Sequence, residues 1–335
     1  MTYRQVALQG TLALAGLCAA YFTWQRGAEL APDEVLVVDA GKNDVVAVRF
    51  DDNEKSTWVE LGKMADEGGS FTFVRLSAQE KPATGKDQPA TKIPERLVRG
   101  SDAAEKLLGS FAPLRASRSL GVLDRARLKD LGLDATQKHV TLSLRNGKRS
   151  FAIAPAPPGG SEPYLRDEAS GQVFLVSRSL LSDFQGASSM LVERHLHGFK
   201  IDEADRLMLQ RGSTKKEFVV TRGEDGVRVA PLKSPDKPDS ALKAWGDRAF
   251  GLWPVDVLGK DETPADGAPQ VDLRIEYSLR GRTLGFVEIG KVAAVTSGKD
   301  GAKDILLARS EQTLGWFKLG SDAHSVLSDA EGFLK

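Results

Sequence analysis

Glu193-Arg194-His195-Leu196-His197 is the densest set of chemically capable side chains in this 335-residue chain. On a strand, alternate residues share a face, so Glu193, His195 and His197 would point the same way. Two neutral imidazoles and a carboxylate can ligate zinc. The competing expectation is that this stretch bridges two halves of the chain, with its side chains solvated or hydrogen-bonded. His139 and His324 fall on a predicted strand and a predicted helix, away from any cysteine or acidic cluster. Both read as core or surface histidines.

Other motifs fail on their chemistry. Gly285-Phe286-Val287-Glu288-Ile289-Gly290-Lys291-Val292 is spelled almost like a phosphate-binding loop. Such a loop needs a flexible glycine-rich turn and a Ser or Thr hydroxyl for Mg²⁺. Here the interior alternates like a strand, and Val292 has no hydroxyl. No G-x-S-x-G turn occurs. Asp51-Asp52-Asn53-Glu54 lacks the glycine and distal glutamate of a calcium loop and reads as a hairpin turn. Arg115, Arg118, Arg125 and Arg127 surround a helix start without interleaved aromatics, which predicts a solvated face. No catalytic, cofactor-binding or metal-binding residue is assigned, and no cofactor is expected.

Composition narrows the classes further. Lys+Arg and Asp+Glu both number 46, so the formal net charge is zero and nucleic acid is not an expected partner. The single cysteine, Cys18, excludes an intramolecular disulfide and a cysteine-based zinc cluster. With 41% hydrophobic and 27% charged residues, the chain is globular in class.

Val6 to Trp24 carries no charge and is close to the ~20 residues a helix needs to cross a bilayer. Arg4 precedes it, Arg26 follows it, and Tyr21 and Trp24 sit where rings favour the interface. Three readings compete: an uncleaved signal anchor, a signal peptide cleaved near Cys18-Ala19-Ala20, and a lipobox ending at Cys18. Leu17 stands where a lipobox needs a small residue. The anchor leads, and it predicts a single-pass protein of the cytoplasmic (inner) membrane with most of its chain periplasmic.

The elements beyond the anchor are strands, turns and short helices. Val35 to Arg75 alternates as strands, with turns at Gly41-Lys42-Asn43-Asp44 and Asp66-Glu67-Gly68-Gly69. Ser77 to Gly100, rich in Pro and Lys, reads as an exposed loop. Ala104, Leu107, Leu108 and Phe111 form one helical face, with Asp102 and Glu105 spaced as a capping box. Asp124 can cap a second short helix that Gly132 ends.

Three segment pairs then run in the same order: 101–121 with 238–259, 140–155 with 273–290, and 162–184 with 304–330. Shared turn spacing and order predict an internal duplication. The expected fold class is α+β, with duplicated β-rich modules behind one N-terminal transmembrane helix. The expected division is 1–32 anchor and linker, 33–197 first half, and 198–335 second half.

These residues also resemble a known bacterial family, domain of unknown function 4340. The likeness rests on the strands around Trp58, the helix SDAAEKLLGSF, Leu131-Gly132-Leu133-Asp134, the hairpin VTLSLRNGKRSFAIAP, Tyr164-Leu165-Arg166 and VFLVSRSLLSDF. It covers about residues 33–200; the second half is a weaker echo without the tetrapeptide. Members are membrane-anchored and often encoded beside ABC transporters of the gliding-motility type. The resemblance implies a non-enzymatic extracytoplasmic accessory subunit whose partners are a permease or auxiliary protein. The alternative is an envelope glycan- or polymer-binding module, in which Trp58, Trp245, Trp253 and Trp316 stack on sugar along one cleft.

Overall fold

The computed structural model describes residues 16–17, 34–66, 69–81, 91–157, 159–223, 226–264, 267–293 and 304–335. Apart from Gly16 and Leu17, which are helical, the Val6 to Trp24 segment lies outside the described residues. No helix among the described residues is long and apolar enough to cross a membrane.

The chain is mostly antiparallel β with several short helices. Its first half holds β1 (Val35–Val38), β2 (Val45–Asp52), β3 (Thr57–Asp66), β4 (Gly69–Leu76), β5 (Gln79–Lys81), β6 (Thr91–Ile93), β7 (Arg96–Arg99) and helix α1 (Asp102–Gly109). β8 (Leu114–Ala116), β9 (Arg118–Val122), α2 (Arg125–Asp130), β10 (Lys138–Leu144), β11 (Gly147–Ala154), β12 (Tyr164–Asp167) and β13 (Gln172–Leu175) follow, then α3 (Arg178–Gln185) and α4 (Ala187–Met190). The second half holds β14 (Arg206–Arg211), β15 (Thr214–Gly223), β16 (Gly226–Pro231), α5 (Ser240–Phe250) and β17 (Pro254–Val257). It ends with β18 (Gln270–Leu279), β19 (Arg282–Val292), β20 (Ile305–Ser310), β21 (Phe317–Leu319) and α6 (Ala323–Leu334).

Two large sheets result. One runs β7-β4-β3-β2-β10-β11-β12-β13-β9, the other β16-β15-β14-β18-β19-β20-β21-β17. Without β7, the two orders match strand for strand. Both also carry an irregularity at the same place: Leu120 of β9 and Val255 of β17 stand unpaired opposite their neighbours, β13 and β21.

Alternation decides which face is buried. β10 buries Val140 and Leu142, and β18 buries Leu273, Ile275 and Tyr277. Each inner face is covered by helices. α3 lays Phe184 on Phe50 (ring centroids 5.3 Å apart, stacked). α5 buries Trp245 completely, and its indole N–H donates to the Val326 carbonyl of α6 at 2.8 Å. One apolar core runs through both halves, from Val38 to Ala330.

Two local expectations are corrected. The segment 77–100 is not wholly loop. β5 and β6 pair with each other, and β7 joins the first sheet beside β4. Within β7, Arg-Leu-Val-Arg buries Val98 at the sheet edge, a pattern too short to stand out among prolines and lysines. At α1, Ser101 and not Asp102 is the N-cap; its hydroxyl donates to Met190 O, and Glu105 pairs with Lys63. The capping box therefore does not form. Asp124 does cap α2, accepting from Arg127 N at 2.8 Å, and Gly132 has φ +71.

Candidate functional site

The backbone from Glu193 to Lys200 forms no regular strand, so its alternate residues do not share a face. His195, largely exposed, lies 2.7 Å from Glu193 Oε1 and edge-on to Trp253. His197 turns inward with a side chain 2% exposed. Its ring stacks on Phe250 at 4.5 Å and meets Tyr277 edge-on at 5.0 Å. Its Nδ1 is 3.2 Å from Glu311 Oε1, and the other oxygen of Glu311 accepts from Phe286 N at 2.9 Å. The two imidazoles therefore serve different surroundings. No three His, Cys, Asp or Glu side chains gather as a metal site among the described residues. Full burial of Tyr277 pushes its hydroxyl pKa upward, so the phenol stays neutral.

The remaining motifs are equally dispersed. Gly285 to Val292 lies inside β19. His139 Nδ1 sits 3.0 Å from Glu168, His324 lies on α6, and Arg115 pairs with Glu34. Arg118 lies on β9, with Arg125 and Arg127 on α2. The tryptophans do not share a cleft. Trp245 is core, Trp58 lies under the Arg49 guanidinium at 4.2 Å, Trp316 lies under Arg309 at 4.9 Å, and Trp253 is 51% exposed.

What the fold does build is a groove. Its wide end is a pocket of about 570 Å³ between the end of the first sheet and the α3–α4 corner. β2 creates its chemistry. Val48, Phe50 and Asp52 alternate toward the interior, so a carboxylate takes the last core-facing position. Register places Asp52 opposite Lys138 of β10 and Thr57 of β3. Asp52 is 2% exposed, and its Oδ1 has no hydrogen-bond partner among the described residues. Lys138 Nζ stands 4.0 Å from Oδ1, and Lys55 Nζ 3.9 Å from Oδ2. Lys138 instead bonds Glu54 at 2.7 Å and holds that carboxyl below its usual range.

The narrow end, about 200 Å³, lies between the halves. Leu76, Gln79 and Ser188 line both ends, joining them. Val192 and Arg194 of the joint face Val255 and Val257 of β17 across it. Beside this gap Arg96 clamps the halves. It donates to Glu262 at 2.7 and 2.9 Å and to Asp256 at 2.9 and 3.3 Å. Burial opposes the charge on Arg96, but these bonds outweigh it and raise its pKa. Lys260 N donates to Leu97 O at 2.9 Å, so the loop after β17 bonds the outer edge of β7. The two halves approach closely here: a Cβ on Gly259 would lie 3.0 Å from Arg96 Cα.

The other sheet ends are blunted. β9 bulges at Leu120 and turns through Gly121 at φ +73, and β16 ends on Pro231. Bulges and prolines discourage strand addition. Neither Arg96 nor Asp52 stood out in the sequence as a functional residue. One sits in a Pro- and Lys-rich stretch, the other in an apparent turn.

Residues 91–250 match the family described as "Domain of unknown function (DUF4340)", and the chain carries that domain over this span. The match begins with β6 and ends with α5, so it leaves out β1 to β5 and continues past the joint into the second half. No curated protein and no solved structure matches the chain.

Proposed function

We propose that this protein is a non-enzymatic, membrane-anchored accessory subunit of an ABC-type transport or gliding-motility-type system. It acts through protein–protein contacts on the periplasmic side of the inner membrane, held there by Val6 to Trp24. The DUF4340 domain and the uncharged N-terminal run support this reading. The matching strand orders and bulges of the two sheets support a duplicated module behind the anchor.

The observation that carries the reading is the surface at the join of the halves. Trp253 is 51% and Val255 60% exposed beside the narrow end of the groove. Arg194, which also lines it, donates from its guanidinium to Ser188 O, and that guanidinium forms no ion pair among the described residues. Exposed Trp and Arg on a rigid frame are the residues that dominate protein interfaces. With the sheet ends blunted, the partner docks on this groove and its loops and adds no strand to an edge.

The test is in-cell photocrosslinking from position 253, with position 215 on the β14–β15 hairpin as the remote control, followed by mass spectrometry. A second control lacks residues 1–26 but is exported on a cleavable signal. Recovery of a permease or auxiliary subunit from position 253 in the anchored protein alone supports the proposal. Equal recovery from position 215, or envelope polymer alone in every sample, overturns it.

A further inference from the structure

β9 and α2 bury no residue fully, although both carry apolar side chains. Leu120, Leu123, Leu128 and Leu131 rest on a small core that includes Ala152 and Ala154 of β11. These alanines alternate with Phe151 and Ile153 of the main core, so the patch lies on the other face of the sheet. Leu120, Leu123 and Leu131 frame a pocket of about 310 Å³ with Arg127 and Asp130. Between Leu120 and Leu123, Val122 is 70% exposed. The bulge that leaves Leu120 unpaired opposite β13 bends the strand at this point.

Cations rim this patch. Arg118, Arg125, Arg127 and Lys129 are exposed, and their side chains make no ion pair among the described residues. Two acids stand against these four bases between Arg118 and Leu131. One of them, Asp124, is engaged in capping α2 through Arg127 N, which leaves Asp130 at the pocket. Exposed apolar side chains set among Arg and Lys suit the interface of an anionic bilayer, where the carbon chains sink and the cations meet phosphate.

The path of the chain brings this corner to a bilayer. Glu34 pairs with Arg115 at 3.1 Å, and Val35 pairs with Ala116, two residues before β9. Glu34 stands ten residues after Trp24, a tether of at most about 36 Å. Val122 stands six residues after Ala116, a span of at most about 20 Å. The shorter span fits inside the longer, so Val122 is within reach of the surface from which the Val6 to Trp24 run emerges. We infer that the β9–α2 corner lies on the lipid surface, with Val122 and Leu123 sunk at the headgroup boundary and Arg118, Arg125 and Lys129 on lipid phosphates. The inference rests on the anchor of the proposed function and goes beyond it. The first half is laid against the bilayer through a surface other than the one at Trp253.

The test places a fluorescent amino acid in the full-length chain at position 119, which is exposed on β9, or at position 215 as the remote control. Each protein is reconstituted into phosphatidylcholine vesicles, with or without phosphatidylglycerol, that carry a nitroxide quencher on the headgroup. Resistance to alkaline extraction reports the anchor separately. The expected result is stronger quenching at 119 than at 215, increased by phosphatidylglycerol. Val122→Asp removes most of the quenching at 119 and leaves the melting temperature unchanged, because that side chain is exposed. Replacing Arg118, Arg125 and Lys129 together by Gln removes the gain from phosphatidylglycerol and leaves the rest. Quenching at 119 in a chain that does not insert supports the inference without the anchor. An inserted chain quenched equally at both positions overturns the inference and spares the anchor. A chain neither inserted nor quenched overturns both. Quenching at 119 that neither variant changes overturns the inference as well. So does in-cell photocrosslinking from position 119 that recovers a protein and no lipid, which assigns the corner to a protein partner.

Discussion

Arg96 and Glu262, from opposite halves of the chain, meet through two hydrogen bonds of 2.7 and 2.9 Å, with each side chain only 12% exposed. Removing one member of such a pair strands the other. Arg96→Ala is expected to cost about 3 kcal/mol in urea unfolding. It should also speed hydrogen exchange at Lys260, whose amide bonds Leu97 O. The double replacement Arg96→Met with Glu262→Leu should recover part of that loss: the buried carboxylate of Glu262 is no longer stranded, and only Asp256, 43% exposed and so solvated, loses its guanidinium partner. A double variant as unstable as the single one contradicts this account of the clamp.

His195 and His197 make a second contrast. His197 is packed among Phe199, Phe250 and Tyr277 and bonded to Glu311, whereas His195 is exposed. His197→Ala should cost about 3 kcal/mol, as for truncating a buried ring. His195→Ala should stay within about 0.5 kcal/mol of the parent. Thermal unfolding of both variants decides the matter.

Glu288 of β19 lies between Arg274 and Arg309, each bonded at 2.6 Å. Burial alone would raise its pKa, but the two guanidinium bonds outweigh it and hold the carboxyl below its usual range. A carboxylate with a depressed folded pKa contributes stability above its unfolded value, about 4.3 for Glu. That contribution is lost as pH falls through the folded value. Stability should therefore decline below about pH 4, and Glu288→Gln should flatten the decline. Denaturant midpoints across the acid range provide the measurement.

Gly315→Ala places a methyl group 2.3 Å from the Gly259 carbonyl, and backbone cannot swing aside as a side chain can. A loss of about 2 kcal/mol or more is expected. Gly109→Ala, where nothing lies within 4 Å, should be neutral or slightly stabilising.

The sheets were legible because strand alternation and turn residues are local. The paired segments 140–155 and 273–290 are the β10–β11 and β18–β19 hairpins in equivalent sheet positions. β7 was missed because four residues between a proline-rich stretch and a helix show no periodicity. The groove was not legible either. Asp52, Gln79, Lys138 and Gln185 come from distant parts of the chain, and only register and packing bring them together. The joint misled for the opposite reason: its i, i+2 spacing suggested a strand face that irregular backbone does not provide.

β7 is the one main-sheet strand that the second half does not repeat, and it carries the seat on which that half rests. At the corresponding place beyond β16, among the described residues, Asp239 N bonds Val229 O and no further strand pairs. The two modules are therefore not interchangeable: among the described residues, four residues give the first a seat that the second lacks, so the join between them has a direction.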